Sequence, residues 1–125
     1  MIPKFRAWLK KEQKMDNYID HISWLEDELY CIGDGITYMV SAEDLELMQS
    51  TGLVDKNGKE IFEGDIVKMS KDVYSEPTCY EVVRHYGGAY RLESKQHGCE
   101  LWLRHTDCKV VGNVYENRDL LEDKE

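Results

Sequence analysis

The stretch TGLVDKNGKEIFEGDIVK, Thr51 to Lys68, carries three glycines and two polar turn signals, then ends in an apolar run. Its reading decides the fold. Asp55-Lys56-Asn57-Gly58 is a hairpin signal, because Asn-Gly tolerates the positive φ that a type I′ turn needs at both central positions. Leu53-Val54 and Glu60-Ile61-Phe62 supply the arms. Arms this short are not stable alone, so they must lie on something larger. At the following Glu63-Gly64-Asp65, Gly64 can take a conformation closed to other residues and the Asp65 carboxylate can bond nearby backbone N–H groups. Ile66, Val67 and Met69 then run on as a strand. A hairpin, a Gly-Asp corner and a strand are how a small barrel turns a strand across itself, and many SH3-like barrels use a similar step; that analogy concerns fold alone.

Outward from this segment, period-2 patterns recur. In Thr78 to Ser94, Tyr80, Val82, Arg84 and Tyr86 alternate with Glu81, Val83 and His85. Gly87-Gly88 marks the turn, and Tyr90 and Leu92 return on one face. Phe5, Ala7 and Leu9 alternate with Arg6, Trp8 and Lys10 ahead of a polar tip at Lys11 to Lys14, which predicts a second hairpin. Gly35 to Ala42, Cys99 to His105 and Cys108 to Asn117 read as further strands, with Gly112 at a bulge or close approach. Two places are ambiguous. Ser23 and Glu26 have capping-box spacing for a short helix, yet Gly33 and Gly35 follow at once, leaving a loop as the alternative. Ser41 caps either a helix reaching Met48 or a short turn that opens a strand at Leu45; the pattern leans to the turn and strand. Near the C-terminus, Asn117 would cap one helical turn that buries Leu120 or Leu121. The sum is a mainly β chain: a small, partly open barrel of SH3-like character built from short antiparallel strands and hairpins, with at most two short helices. One domain spanning 1–125 is expected, with sub-structure at 1–50 and 51–125.

Composition narrows the function classes. The chain has 125 residues, 42% of them hydrophobic and 10% aromatic, enough for a modest core. Its net charge is −9, spread evenly: residues 1–62 hold seven basic and twelve acidic side chains, residues 63–125 nine and thirteen. Nucleic-acid affinity rests mainly on neutralising phosphates with Lys and Arg, so so acidic a chain disfavours it unless folding gathers a local basic patch. With 16 Lys and Arg, the chain is also too mixed in charge to mimic nucleic acid. The N-terminal residues lack the apolar stretch of a signal peptide, and no window approaches a membrane span of about 18 apolar residues. A cytoplasmic protein is expected, its cysteines Cys31, Cys79, Cys99 and Cys108 reduced.

Candidate chemistry is sparse. His97, Cys99, His105 and Cys108 are zinc-type ligands, but along a strand Cys99 and His105 would stand roughly 20 Å apart. A buried cysteine among surface histidines is the simpler reading, and no metal is expected. Cys108, His105 and Asp107 form a triad only on paper, since adjacent strand residues point to opposite faces. Glu63 and Asp65 would converge on a ligand or divalent ion only if they were not already bonding backbone donors at the corner. Phosphate-binding glycine loops and a nucleophile elbow are absent. Tyr80, Tyr86 and Tyr90 with Arg84 and Arg91 resemble a stacking platform for single strands, yet suit a cross-strand aromatic cluster feeding the core better. No catalytic, cofactor-binding or metal-ligating residue is therefore assigned, and an enzyme is not expected.

KFRAW near the start, LMQSTGLVDKNGKEIFEGDIVK in the middle and VVGNVYEN followed two residues later by Leu-Leu are ordered along nearly the whole chain. Together they resemble the YopX family of phage and prophage proteins. The resemblance implies a small, mainly β protein acting in a bacterial host cytoplasm, and brings no activity, cofactor or functional residue. The expectation is a non-enzymatic accessory protein that binds another protein, with self-association through open sheet edges. The alternative is a nucleic-acid-associated regulator on an SH3-like barrel.

Overall fold

The computed structural model describes residues 4–17, 19, 21–26, 28–33, 39–70, 76–84, 89–94 and 98–121. These form two compact units, Met1–Gln49 and Ser50–Glu125. All strand pairing among the described residues is antiparallel. The mainly β class read from the sequence is the class observed.

In the first unit, β1 (Phe5–Leu9) and β2 (Lys14–Asp16) make the expected N-terminal hairpin, with Trp8 opposite Met15. Gln13 closes it in the left-handed region at φ 54°, its N–H donating to the Leu9 carbonyl at 2.8 Å. A second sheet holds β3 (His21–Leu25), β4 (Glu28–Gly33) and β5 (Met39–Ser41) in that order. The Ser23–Glu26 capping box does not nucleate a helix. Glu26 sits at φ 52° and begins the reversal between β3 and β4. Barely two turns of helix carry the full nucleation cost, whereas a ladder to Gly33 satisfies the same backbone groups at once. Of the strand expected over Gly35 to Ala42, residues 35–38 lie outside the described residues. Ala42–Asp44 form a 3-10 turn, and β6 (Leu45–Val54) opens directly after it, in line with the turn-and-strand reading. Ala7, Leu9 and Leu45 are buried together, and Ile19, Ile22, Val40 and Leu47 pack against them.

Strand β6 pairs with β1 as far as Gln49; beyond, its Ser50 and Val54 pair with Phe62 and Glu60 of β7 (Glu60–Phe62). The ladder is interrupted between those two pairs, where Gly52 stands at φ 79°. Thr51 Oγ1 fills the gap, donating to the Ile61 carbonyl at 2.7 Å and accepting from the Leu53 N–H at 3.2 Å.

The rest of the second unit is a five-stranded sheet. It comprises β8 (Asp65–Met69), β9 (Thr78–Arg84), β10 (Tyr90–Glu93), β11 (Gly98–Glu100) and β12 (Lys109–Asn113), ordered β11-β10-β9-β8-β12. The hairpin of β9 and β10 is in the register its alternation predicts, Val82 opposite Leu92; its Gly87-Gly88 turn lies outside the described residues. Ile61, Val67, Met69, Tyr80, Val82, Leu92, Leu101 and Cys108 form the buried core. At 25–30 cal/mol per Å² of apolar surface removed from water, such a cluster dominates the unit's stability.

One expected strand is not a strand. Cys99 to His105 divides into β11, a short helix α1 (Leu101–Arg104) and a 3-10 turn, His105–Asp107. Leu101 is fully buried while Trp102 and Leu103 are exposed. A strand would have sent Leu101 and Leu103 to the same face; the helical turn lets the core take one apolar side chain and release the other.

Candidate functional site

The Gly64–Asp65 corner forms as the sequence suggests. Gly64 is buried at φ 86°, its N–H donating to the Val82 carbonyl at 2.9 Å and its carbonyl accepting from the Val114 N–H at 2.9 Å. The Asp65 carboxylate is 2% exposed and accepts from the Phe62 N–H at 2.8 Å. Glu63 departs from its neighbour. Burial raises the Tyr90 hydroxyl pKa first, and the nearby Glu63 charge raises it further. At this corner the Asp65 acid is committed to the backbone, a routing role.

The Asp55–Gly58 turn also forms, in a different geometry from the one expected. Only Gly58 has positive φ, 81°, and the Gly58 N–H donates to the Asp55 carbonyl at 3.0 Å. This is a type I turn closed by a left-handed glycine, the three-residue hairpin loop, and not type I′. The Asp55 side chain decides between them. Its Oδ1 accepts from the N–H groups of Asn57 at 2.8 Å and Lys59 at 2.9 Å. Its Oδ2 accepts from Val110 N–H of β12 at 2.9 Å, and the Lys56 N–H donates to the Cys108 carbonyl at 2.9 Å. One carboxylate, 4% exposed, therefore shapes the loop and ties it to a strand 55 residues on. Burial alone would raise its pKa. The N–H groups of Val110, Lys59 and Asn57, with the Lys59 charge, outweigh burial and leave it below the ordinary 3.8. Aspartate ahead of Asn-Gly was a legible turn signal; its reach to Val110 had none.

This tie shapes a cleft of about 530 Å³. Lys56, Lys68, Arg104 and Lys109 line it, with Met69 and Pro77 as apolar wall. Lys68 of β8 and Lys109 of β12 are direct register partners and so project from the same side of the sheet. Arg104 is held from two sides: Nε donates to Asp107 Oδ2 and Nη2 to the Ser70 carbonyl, both at 2.9 Å. Among the described residues, Asp107 is the one acid in the lining. Among the described residues, no carboxylate makes an ion pair with Lys56, Lys68 or Lys109. An acidic chain has thus gathered four cations in one recess.

The zinc-type ligands fare differently from one another. His97 lies outside the described residues. His105 Nδ1 lies 2.7 Å from the Val54 carbonyl, and since a carbonyl only accepts, Nδ1 carries the proton. Cys108 is fully buried, its Sγ 3.2 Å from the Arg104 carbonyl and 3.7 Å from Met69 Sδ. Burial, then the neighbouring Cys99, pushes its pKa up to about 12; burial also raises that of Cys99. Neither is a thiolate at neutral pH. Among the described residues, no three of His, Cys, Asp and Glu stand close enough to share a metal ion. The paper triad disperses likewise: Cys108 turns to the core, His105 to Val54 and Asp107 to Arg104. The reason is the 3-10 turn, not opposed strand faces. Of the aromatic platform, Tyr80 is 2% exposed within the core and Tyr90 packs against it, while Arg91 is engaged by Glu93 at 3.0 Å and Glu100 at 2.6 Å. Tyr86 lies outside the described residues.

Gly112 is the close approach anticipated. The register shifts there, and a Cβ would collide with the Asn117 side chain, whose Oδ1 accepts from the Asn113 N–H at 3.2 Å. The turn Arg118–Leu121 follows, leaving Leu120 exposed and Leu121 half-buried. No helix among the described residues is long and apolar enough to cross a membrane.

No curated protein matches the chain. Two solved structures are similar over nearly its whole length. The crystal structure of protein EF1440 from Enterococcus faecalis is 30% identical with a TM-score of 0.74, covering 98% of this chain and 99% of that one. The X-ray structure of protein yopX from Bacillus subtilis is 21% identical with a TM-score of 0.69, covering 94% and 97% respectively, and shares the fold. The family described as YopX protein matches residues 4–122, so that with the same signature residues shaping the Asp55 hairpin and the Gly64 corner, the chain belongs to the YopX family.

Proposed function

We propose that the chain is a non-enzymatic accessory protein of phage or prophage origin that acts in the host cytoplasm by binding another protein. The observation carrying this reading is the Trp102–Leu103 pair. Trp102 is 65% and Leu103 58% exposed, on a turn pinned by the fully buried Leu101 and by Arg104's bonds to Ser70 and Asp107. A rigid, exposed tryptophan is the commonest kind of interface anchor, because it buries a large area at little entropic cost. The partner it suits has an apolar pocket that takes the indole. The raised thiol pKa values of Cys99 and Cys108 and the dispersal of His105 and Asp107 support the non-enzymatic part.

The test is affinity capture from lysate of the bacterial host, with wild type and a Trp102→Ala/Leu103→Ala variant compared at equal circular dichroism. A protein captured by the wild type and lost from the variant, then reconstituted from pure components, supports the reading. Equal capture by both overturns it. Light scattering over a dilution series shows whether a second copy of this chain is that partner.

A further inference from the structure

We infer that the cleft bordered by Lys56, Lys68, Arg104 and Lys109 binds a small phosphorylated molecule of nucleotide size. Three observations meet here, none of which depends on the protein-partner reading. The first is the juxtaposition of Lys68 and Lys109 as register partners across β8 and β12. Like charges directly opposite destabilise a sheet, and no carboxylate among the described residues pairs with either. A bound anion removes that repulsion. The second is the way the remaining cations are held. Lys56 borders the cleft on a loop whose Lys56 N–H donates to the Cys108 carbonyl at 2.9 Å, while the Asp55 carboxylate beside it is committed to three backbone N–H groups. Arg104 is oriented by Asp107 and Ser70 before any ligand arrives. A positioned guanidinium with convergent ammonium groups is what phosphate recognition uses. The third is size and lining. About 530 Å³ falls within the range of small-ligand sites, and Met69 and Pro77 offer an apolar wall beside the cations, to which the Thr106 hydroxyl adds a hydrogen-bonding group.

The same electrostatics select a compact anion over a polymer. The chain carries −9 overall, and four of its 16 Lys and Arg border this recess. A polynucleotide would extend past the recess on a chain of net charge −9, whereas a nucleotide stays within the roughly 10 Å over which the local cations act.

Isothermal titration at low ionic strength with ADP and with inorganic pyrophosphate tests this, using wild type and a Lys68→Gln/Lys109→Gln variant. Wild type is expected to bind ADP, with pyrophosphate equal or weaker, and to melt at higher temperature when ADP is added. The variant is expected to lose at least tenfold in affinity and, without ligand, to melt no lower than wild type, because a repulsive pair has gone. Absence of heat with both probes at millimolar concentration overturns the inference, as does equal binding by the variant. A single-stranded 12-mer binding more than tenfold tighter than ADP overturns it in favour of nucleic acid. Lys56→Gln, an exposed side chain whose backbone bond persists, provides a second reading should the double variant fold poorly; unchanged ADP affinity there also counts against the cleft.

Discussion

The two units solve the same problem with different means. Residues 1–49 turn their hairpins at Gln13 and Glu26, both at positive φ, with the exposed Gln13 Nε2 donating to the Lys10 carbonyl at 2.7 Å, and bury a small cluster around Ala7, Leu9 and Leu45. Residues 50–125 have a larger buried core and, in addition, three buried polar side chains, Asp55, Asp65 and Asn113, that bond the backbone of their own turns. Side-chain acceptors fix a turn in one geometry; backbone propensity alone leaves neighbouring geometries close in energy. The second unit is accordingly the one that can hold four cations at a defined spacing.

If that contrast is correct, Asp55→Ala should cost most among changes that leave the apolar core intact. Three N–H groups lose their acceptor, and about 3 kcal/mol or more of unfolding free energy is expected to go, read by urea denaturation. Asp55→Asn, which keeps one carbonyl acceptor, should lose roughly half as much. The same residue sets a pH dependence. Its folded pKa is depressed, so its contribution is complete above the ordinary 3.8 and is lost as pH falls through the folded value; Asp55→Asn should flatten the decline in stability below that pH.

The apolar cores differ in the same direction. Leu92, fully buried in the second unit, should cost about 4 kcal/mol on truncation to alanine, against about 2.5 kcal/mol for Leu9 in the smaller cluster, where neighbours collapse more easily into the void. Equal losses would argue that the first cluster is as tightly constrained as the second. Gly64→Ala forces a side chain to φ 86° in a buried corner and should cost about 1–2 kcal/mol, with little change in the urea m-value. Smallest is the ion pair of the first unit between Lys10 and Glu46, 3.3 Å apart and about half exposed at 46% and 51%. A double-mutant cycle should return less than about 0.5 kcal/mol, vanishing in 1 M salt.

The parts legible in the sequence were those whose signal is local. The hairpin at Asp55–Gly58, the corner at Gly64–Asp65, the alternation of Thr78 to Leu92 and the close approach at Gly112 each rest on residues within a few positions of one another. What failed was local evidence with two solutions of similar energy. Ser23 and Glu26 admit a short helix or a loop, and two paired strands stand there instead; Leu101 to Leu103 suit strand or helix until the core claims one leucine and not the other.

By itself the order of residues determined the mainly β class, the hairpins at Lys11–Lys14, Asp55–Gly58 and Thr78–Leu92, and the family, because turn chemistry and period-2 hydrophobicity act over a handful of bonds. Tertiary structure alone decided the turn type at Asp55, whose carboxylate meets Val110, and the meeting of Lys56, Lys68, Arg104 and Lys109. Lys56 and Lys68 stand more than thirty positions from Arg104 and Lys109, and the four share no pattern. The pairing of β8 with β12, the tie of the Asp55 loop to Val110 and Cys108, and the bond from Arg104 to Ser70 bring their charges within reach of one ligand, since Coulomb energy depends on distance in space and not on separation in sequence.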